Sequence, residues 1–159
     1  MKTPAMKENK KGFTLLELLV VISIIGILAA LLLANFNATR ERARDAARQS
    51  DIKQYQTSLG QYASENTGLY PVETSIIRIC DENDFWSTDL GLPICIDDPQ
   101  APVVTQRYWY LSNDTGTEYA VWAQLENGTD LWVLCSNGLV GETDTAPDPS
   151  GEICPLVLP

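Results

Sequence analysis

Glu17 is the single charged residue in a 22-residue apolar run from Phe13 to Ala34, FTLLELLVVISIIGILAALLLA. An ionised carboxylate in such a run costs at least ~2.5 kcal/mol in lipid unless it meets a cation or takes up a proton. Its chemistry is therefore ion pairing. A cut after Gly12 frees the α-amine of Phe13 one helical turn away, and that amine supplies the cation within or between subunits. The competing reading places Glu17 at the bilayer interface, where its carboxylate snorkels to the headgroups. Cys80, Cys95, Cys135 and Cys154 all follow the apolar run. None shows metal-type CxxC spacing, and the chain has no His to act as the base for a nucleophilic thiol. They read as two disulfides. Neither a nucleophile with its base nor a phosphate loop of the GxxxxGK[ST] kind occurs, so the chain does not read as an enzyme. Carboxylates cluster at Asp81, Glu82, Asp84, at Asp97, Asp98, and at Glu142, Asp144, Asp148, Glu152. Calcium takes oxygen ligands of this kind, but the EF-hand spacing is missing, and surface solvation is the simpler use of these charges.

These groups have to be positioned by a short chain. Its 159 residues provide one modest globular unit plus an appendage. Charge is segregated. Four lysines precede residue 13, Arg40, Arg42, Arg44, Arg48 and Lys53 follow the apolar run, and residues 54–159 hold 16 Asp+Glu against Arg78 and Arg107. Nucleic acid is thereby excluded as a partner of the acidic part, and a cation or a basic partner is admitted. At ~1.5 Å per residue the apolar run reaches roughly 33 Å as a helix, enough for a bilayer core. A secretory signal peptide has a shorter apolar region of about 7 to 15 residues and a small-x-small cleavage site.

Beyond Asn35 the pattern remains helical and turns amphipathic, with Ile52, Tyr55, Leu59 and Tyr62 on one face. The mixed charges Arg40, Glu41, Arg42, Arg44, Asp45 and Arg48 read as a solvated helix face. A sharper reading has these arginines meet anionic headgroups or a neighbour's acidic surface. Asn66, Thr67 and Gly68 stop the helix near Glu65, and Pro71 prevents its resumption. RYWYL from Arg107, EYAVWAQL from Glu118 and DLWVLC from Asp130 then predict a three-stranded antiparallel meander, with a turn at Asn127-Gly128 and a looser one at 113–117. One sheet face packs on the helix, with Trp109, Trp122 and Trp132 as large contributors to burial or to a subunit interface. Sequential pairing of Cys80 with Cys95 and Cys135 with Cys154 is the preferred of three connectivities, because short local staples suit a head with little core. The three N-x-T triplets, at Asn37, Asn113 and Asn127, read as chance.

KGFTLLELLVVISIIGILAA, Lys11 to Ala30, resembles the N-terminal signature of type IV prepilins and type II secretion pseudopilins. The likeness combines a short basic leader, Gly12 before the cut, Phe13 after it, Glu17 and a long apolar helix. DIKQYQTSLGQYASENTGLYP, Asp51 to Pro71, is similar to the helix end and Tyr-Pro turn of the same family. Many members carry a helix-kinking proline where this chain has Ala34. The resemblance implies an α+β pilin-like fold in four parts: a leader at 1–12, a transmembrane half-helix at 13–34, an amphipathic half-helix at 35–65 and a globular head at 66–159. It further implies cleavage at Gly12/Phe13 by prepilin peptidase, N-methylation of Phe13, and neutralisation of a neighbour's amine by Glu17 during assembly. The implied partners are copies of the chain, other pilins, the peptidase, an inner-membrane platform and, before assembly, the bilayer. SNGLVGETD, Ser136 to Asp144, is weakly similar to the calcium-binding loop of major pseudopilins, which makes Asp144 and Asp148 the candidate ligands of a structural calcium ion; no other cofactor is expected. The expected function is a filament subunit, exported from the inner membrane. The alternative is a membrane-anchored binding module with an acidic head that does not polymerise.

Overall fold

A computed structural model describes residues 12–80, 85–92, 95–100, 108–126 and 130–156, with the backbone alone at 32–35. Residues 1–11 of the leader, the carboxylates of Asp81, Glu82 and Asp84, Arg107 and the Asn127-Gly128 turn lie outside the described residues. The chain forms two compact units, Met1–Thr39 and Arg40–Pro159. The long helix α1, Leu15–Glu65, contributes to both. Its C-terminus is where Asn66, Thr67 and Gly68 predict it. The Gly68 N–H reaches back to the Ala63 carbonyl at 2.7 Å, with Thr67 and Gly68 in the left-handed region at φ 58° and 87°.

In the second unit the helix is followed by β1 (Ile77–Arg78), α2 (Phe85–Thr88), β2 (Tyr108–Ser112), β3 (Tyr119–Gln124), β4 (Leu131–Cys135) and β5 (Val140–Thr143). The strands form one antiparallel sheet in the order β1-β2-β3-β4-β5. The fold is thus α+β, a long N-terminal helix with a small antiparallel sheet. The expected three-stranded meander is its centre, β2 to β4. The flanking strands carry little strand pattern of their own: β1 has two residues, and Val-Gly-Glu-Thr in β5 lacks apolar alternation.

Alternation divides the side chains between two cores. Tyr108 and Tyr110 of β2, Tyr119, Val121 and Ala123 of β3 and Leu134 of β4 pack with Ile52, Tyr55 and Leu59 of α1. Each fully buried side chain of this size contributes ~1.5–3 kcal/mol. Three of the buried tyrosines keep their hydroxyls bonded: Tyr110 donates to the Pro71 carbonyl at 2.7 Å, Tyr108 to the Asp51 carboxylate and Tyr55 to the Ile96 carbonyl at 2.5 Å. Leu111, Ala120, Trp122, Leu131 and Val133 face the other way and are covered by Ile153, Cys154 and Leu156 of the C-terminal segment. Sequence patterning alone points to one buried sheet face. The second arises because the tail folds back over it. Trp122 is buried there against half-buried Trp109, their rings stacked with centroids 6.3 Å apart, and Trp132 is half-buried toward the helix side.

Gly116, in the turn between β2 and β3, has φ 66° and lies so near the Tyr70 backbone that a Cβ would sit 2.6 Å from its carbonyl oxygen. This close approach docks the segment after α1 onto the sheet, with the Tyr70 N–H donating to the Gly116 carbonyl at 2.8 Å.

Cys80 is bonded to Cys95 and Cys135 to Cys154, across separations of 15 and 19 residues. The second bond anchors the covering tail to β4. Replacing Cys135 and Cys154 together by Ser is expected to cost about 3 kcal/mol, read as a lower denaturant midpoint of the purified chain. It is also expected to shift tryptophan emission to the red as Trp122 becomes wet. An unchanged midpoint and spectrum would show that the tail holds its place without the bond.

Candidate functional site

Gly12 and Phe13 precede the helix, and Phe13 is 86% exposed. Thr14 caps the first turn. The Glu17 carboxylate accepts from the Thr14 N–H at 2.9 Å and from its hydroxyl at 2.8 Å, and the Thr14 Oγ1 accepts from the Glu17 N–H at 3.2 Å. This is a reciprocal capping box, and its Thr-x-x-Glu signal is present in the sequence at Thr14-Leu15-Leu16-Glu17. Sequence reasoning that treats Glu17 only as a lipid-facing charge misses it. In the uncut chain the Phe13 nitrogen is a peptide N–H, so the carboxylate is held by its own helix start.

From Phe13 to Leu31 every large apolar side chain is exposed, on all sides of the helix. Such a surface has to be covered by lipid or by other apolar helices. Among the described residues no single helix is long and apolar enough to cross a membrane, and only Leu15–Leu31 and Phe36–Glu65 taken as a pair meet the length and composition of a span. The expected span at 13–34 runs past Leu31 into residues described by backbone alone.

The arginine cluster departs from the expected solvated face. Arg40 and Arg42 are exposed, but Arg48 is 0% exposed. Its Nε and Nη2 donate to the two carboxylate oxygens of Asp98 at 2.6 and 3.0 Å, and its Nη1 donates to Asp45 at 2.6 Å and faces Glu126 at 2.8 Å. Arg44 clasps the same Glu126 through Nε at 2.6 Å and through Nη2. Asp45 also accepts from the Glu126 N–H at 3.0 Å. The reason is tertiary. Asp98 and Glu126 come from segments 50 and 82 residues away from their partners on α1, a separation that no helix-face pattern reveals. Burial alone would lower the Arg48 pKa, but the bonds to Asp98 and Asp45 outweigh it and raise it. The Arg44 hydrogen bond holds the Glu126 carboxyl below its ordinary range.

Asp144 and Asp148 are exposed and engaged in local turns. Asp148 accepts from the Ser150 N–H and hydroxyl at 2.8 Å each, and Asp144 from the Thr145 hydroxyl at 3.1 Å. Among the described residues no group of three or more Cys, Asp or Glu is arranged to hold a metal ion.

Residues 7–33 match the family model of the prokaryotic N-terminal methylation motif. The type II secretion system core protein G of Escherichia coli (strain K12) is 30% identical over 148 residues, which cover 89% of this chain and 90% of that protein. The chain belongs to the type IV pilin and type II secretion pseudopilin family. Core protein G of Pectobacterium carotovorum subsp. carotovorum is 28% identical over 144 residues, covering 86% of this chain and 82% of that protein. The type IV wide pilus major component PilA4 of Thermus thermophilus is 63% identical over 38 residues, 24% of this chain and 29% of its own. The pilin likeness is thus most concentrated in one short segment, whereas the pseudopilin likeness extends along most of the head.

Arg48→Met leaves Asp45, Asp98 and part of Glu126 without their cation, and is expected to destabilise the purified pseudopilin-like head by about 3–5 kcal/mol in denaturant titration. Because the Glu126 pKa is lowered on folding, its contribution is fully present above the ordinary carboxylate range and is lost as pH falls through the lowered value. Arg44→Gln is therefore expected to flatten the acid limb of the stability profile, and an acid limb identical to the parent's would contradict the pairing.

Proposed function

We propose that this chain is a structural subunit of a type II secretion pseudopilus or a type IV pilus. The observation that carries the reading is the segment from Phe13 to Leu31, largely apolar and exposed all round, with Glu17 as its single charge. Its precursor sits in the inner membrane with the head exported. Prepilin peptidase cuts between Gly12 and Phe13, the new amine of Phe13 is methylated, and a membrane platform extracts the chain into the filament. The driving physics is exchange of cover. Helices leaving lipid bury their apolar surface against one another, and a carboxylate in that bundle needs a cation. The terminal amine of a neighbouring Phe13 provides it, while the Thr14 hydroxyl keeps the carboxylate in place.

The loop carboxylates Asp144 and Asp148 work in this proposal as solvating charges, and no resident cofactor is assigned. Calcium added to the purified chain is expected to leave its melting temperature unchanged. A rise that disappears in Asp144→Asn or Asp148→Asn would instead make those residues ligands.

Glu17→Leu is expected to insert and be cut normally but to reduce sheared-filament yield by more than about tenfold, the cost of an amine left unpaired in an apolar bundle. Gly12→Leu is expected to block maturation, seen by mass spectrometry as a chain that retains its leader. Normal filament incorporation of the Glu17 variant would remove the charge pair from the mechanism, and maturation of the Gly12 variant would remove the cleavage site.

A further inference from the structure

The two sulfurs of the Cys135–Cys154 bond are held differently. Cys135 sits in β4 opposite Ala120 of β3, its N–H donates to the Leu139 carbonyl at 2.9 Å, and it has no exposed surface. Cys154 belongs to the covering tail and is half-buried. It borders an open cavity of about 410 Å³, whose wall also includes Glu118 before β3, Ser136 and Asn137 after β4, and Glu152 of the tail. The Asn137 amide marks where the sulfur lies in that wall. Its Oδ1 accepts from the Leu139 N–H at 2.9 Å, which fixes the amide, and its Nδ2 lies 4.0 Å from the Cys154 Sγ.

Disulfides are made and broken by attack of a thiolate on one sulfur of a bond, so access decides which sulfur takes part. A partner's sulfur reaches Cys154 from the cavity, whereas Cys135 is closed to it by the sheet and the tail. Opening and closing of the bond pass through the same transition state. The access seen in the closed bond therefore also sets the order in which it forms.

We propose that this cavity is a thiol-exchange site, at which Cys154 carries the partner's sulfur and Cys135 closes the bond. In closure the Cys154 thiolate attacks the disulfide of an oxidant, forming a mixed disulfide and releasing one oxidant thiolate. Cys135 then loses its proton to water, attacks the Cys154 sulfur and expels the second oxidant thiolate into the cavity. Both cysteines are oxidised, and the oxidant's disulfide is reduced to a pair of thiols. The fold suits this division of labour, because Cys135 is fixed on a strand and Cys154 faces the open space. The wall also selects the partner. Glu118 and Glu152 are exposed, and residues 54–159 hold 16 Asp+Glu against Arg78 and Arg107, so an anionic reagent is repelled at the cavity and a cationic one is drawn in. The partner is accordingly a disulfide oxidant whose reactive sulfur is flanked by neutral or basic groups.

The test uses the full, oxidised chain in nonionic detergent, treated with cysteamine, 2-mercaptoethanol or mercaptoethanesulfonate, which are cationic, neutral and anionic thiols. Mixed disulfides are trapped by acid, free thiols are alkylated, and the peptides are mapped by mass spectrometry. Adducts at this bond are expected on Cys154, with Cys135 alkylated. Corrected for the intrinsic reactivity of each thiol, cysteamine is expected to react about tenfold faster than the sulfonate at low salt, and high salt to shrink the difference. Glu118→Gln combined with Glu152→Gln, both at exposed positions, is expected to remove most of that preference. Adducts on Cys135, on both sulfurs alike, or only after denaturation would each overturn the exchange site. A preference missing in the parent, or unchanged in the double variant, would overturn selection of the partner by the two carboxylates.

Discussion

The head depends on a guanidinium that has been taken out of water. Arg48 has no exposed surface, and the desolvation of a charge is offset only by close, well-directed counter-charges. Asp45 comes from the same helix, Asp98 from the segment just after Cys95, and Glu126 from the end of β3. Three parts of the chain therefore have to meet at one group. The amphipathic part of α1 cannot slide or rotate against the sheet without leaving at least one carboxylate, or Arg48 itself, buried and unpaired. The apolar contacts of Ile52, Tyr55 and Leu59 supply the larger share of cohesion, but they are tolerant of small shifts. The ion cluster is not, because hydrogen bonds are directional and apolar burial is not.

The disulfides act on the segments that carry these charges and covers. Cys80–Cys95 lies beside Tyr55, whose hydroxyl reaches the Ile96 carbonyl, so the short stretch from Cys95 to Asp98 is held to the helix by a covalent bond, a tyrosine and an arginine in succession. Cys135–Cys154 performs the analogous task on the other sheet face, where Ile153 and Leu156 exclude water from Trp122 and Val133. A head of this size has too little interior to hold long loops by burial alone, and the two bonds restrict the unfolded chain where the loops are longest.

The apolar segment obeys the reverse logic. Among the described residues of its own unit nothing covers it, and its one carboxylate is held there by Thr14 and by no cation. In the proposed filament subunit its cover is supplied by lipid and then by other subunits. An assembly subunit differs in this from an enzyme, whose polar groups converge on a substrate cavity within one chain.

The local code was enough for much of this protein. Periodicity, the Asn-Thr-Gly stop and Pro71 defined α1 to its last residue, the aromatic runs defined the three central strands, and the segment from Lys11 to Ala30 carried the family, since each is a property of neighbours along the chain. Even the Thr14–Glu17 box was legible as a three-residue spacing. The fate of the arginines was not. Arg42 and Arg48 lie within two turns of one helix and carry the same charge, yet one is exposed and the other is among the most buried side chains in the protein. What separates them is the arrival of Asp98 and Glu126, and the second sheet core likewise exists only because the tail returns across β4. Sequence alone determines which elements form, because helix and strand propensities act over a few residues. Which charges are buried is decided by long-range approach, because desolvation and pairing depend on what comes within a few ångströms in the folded chain.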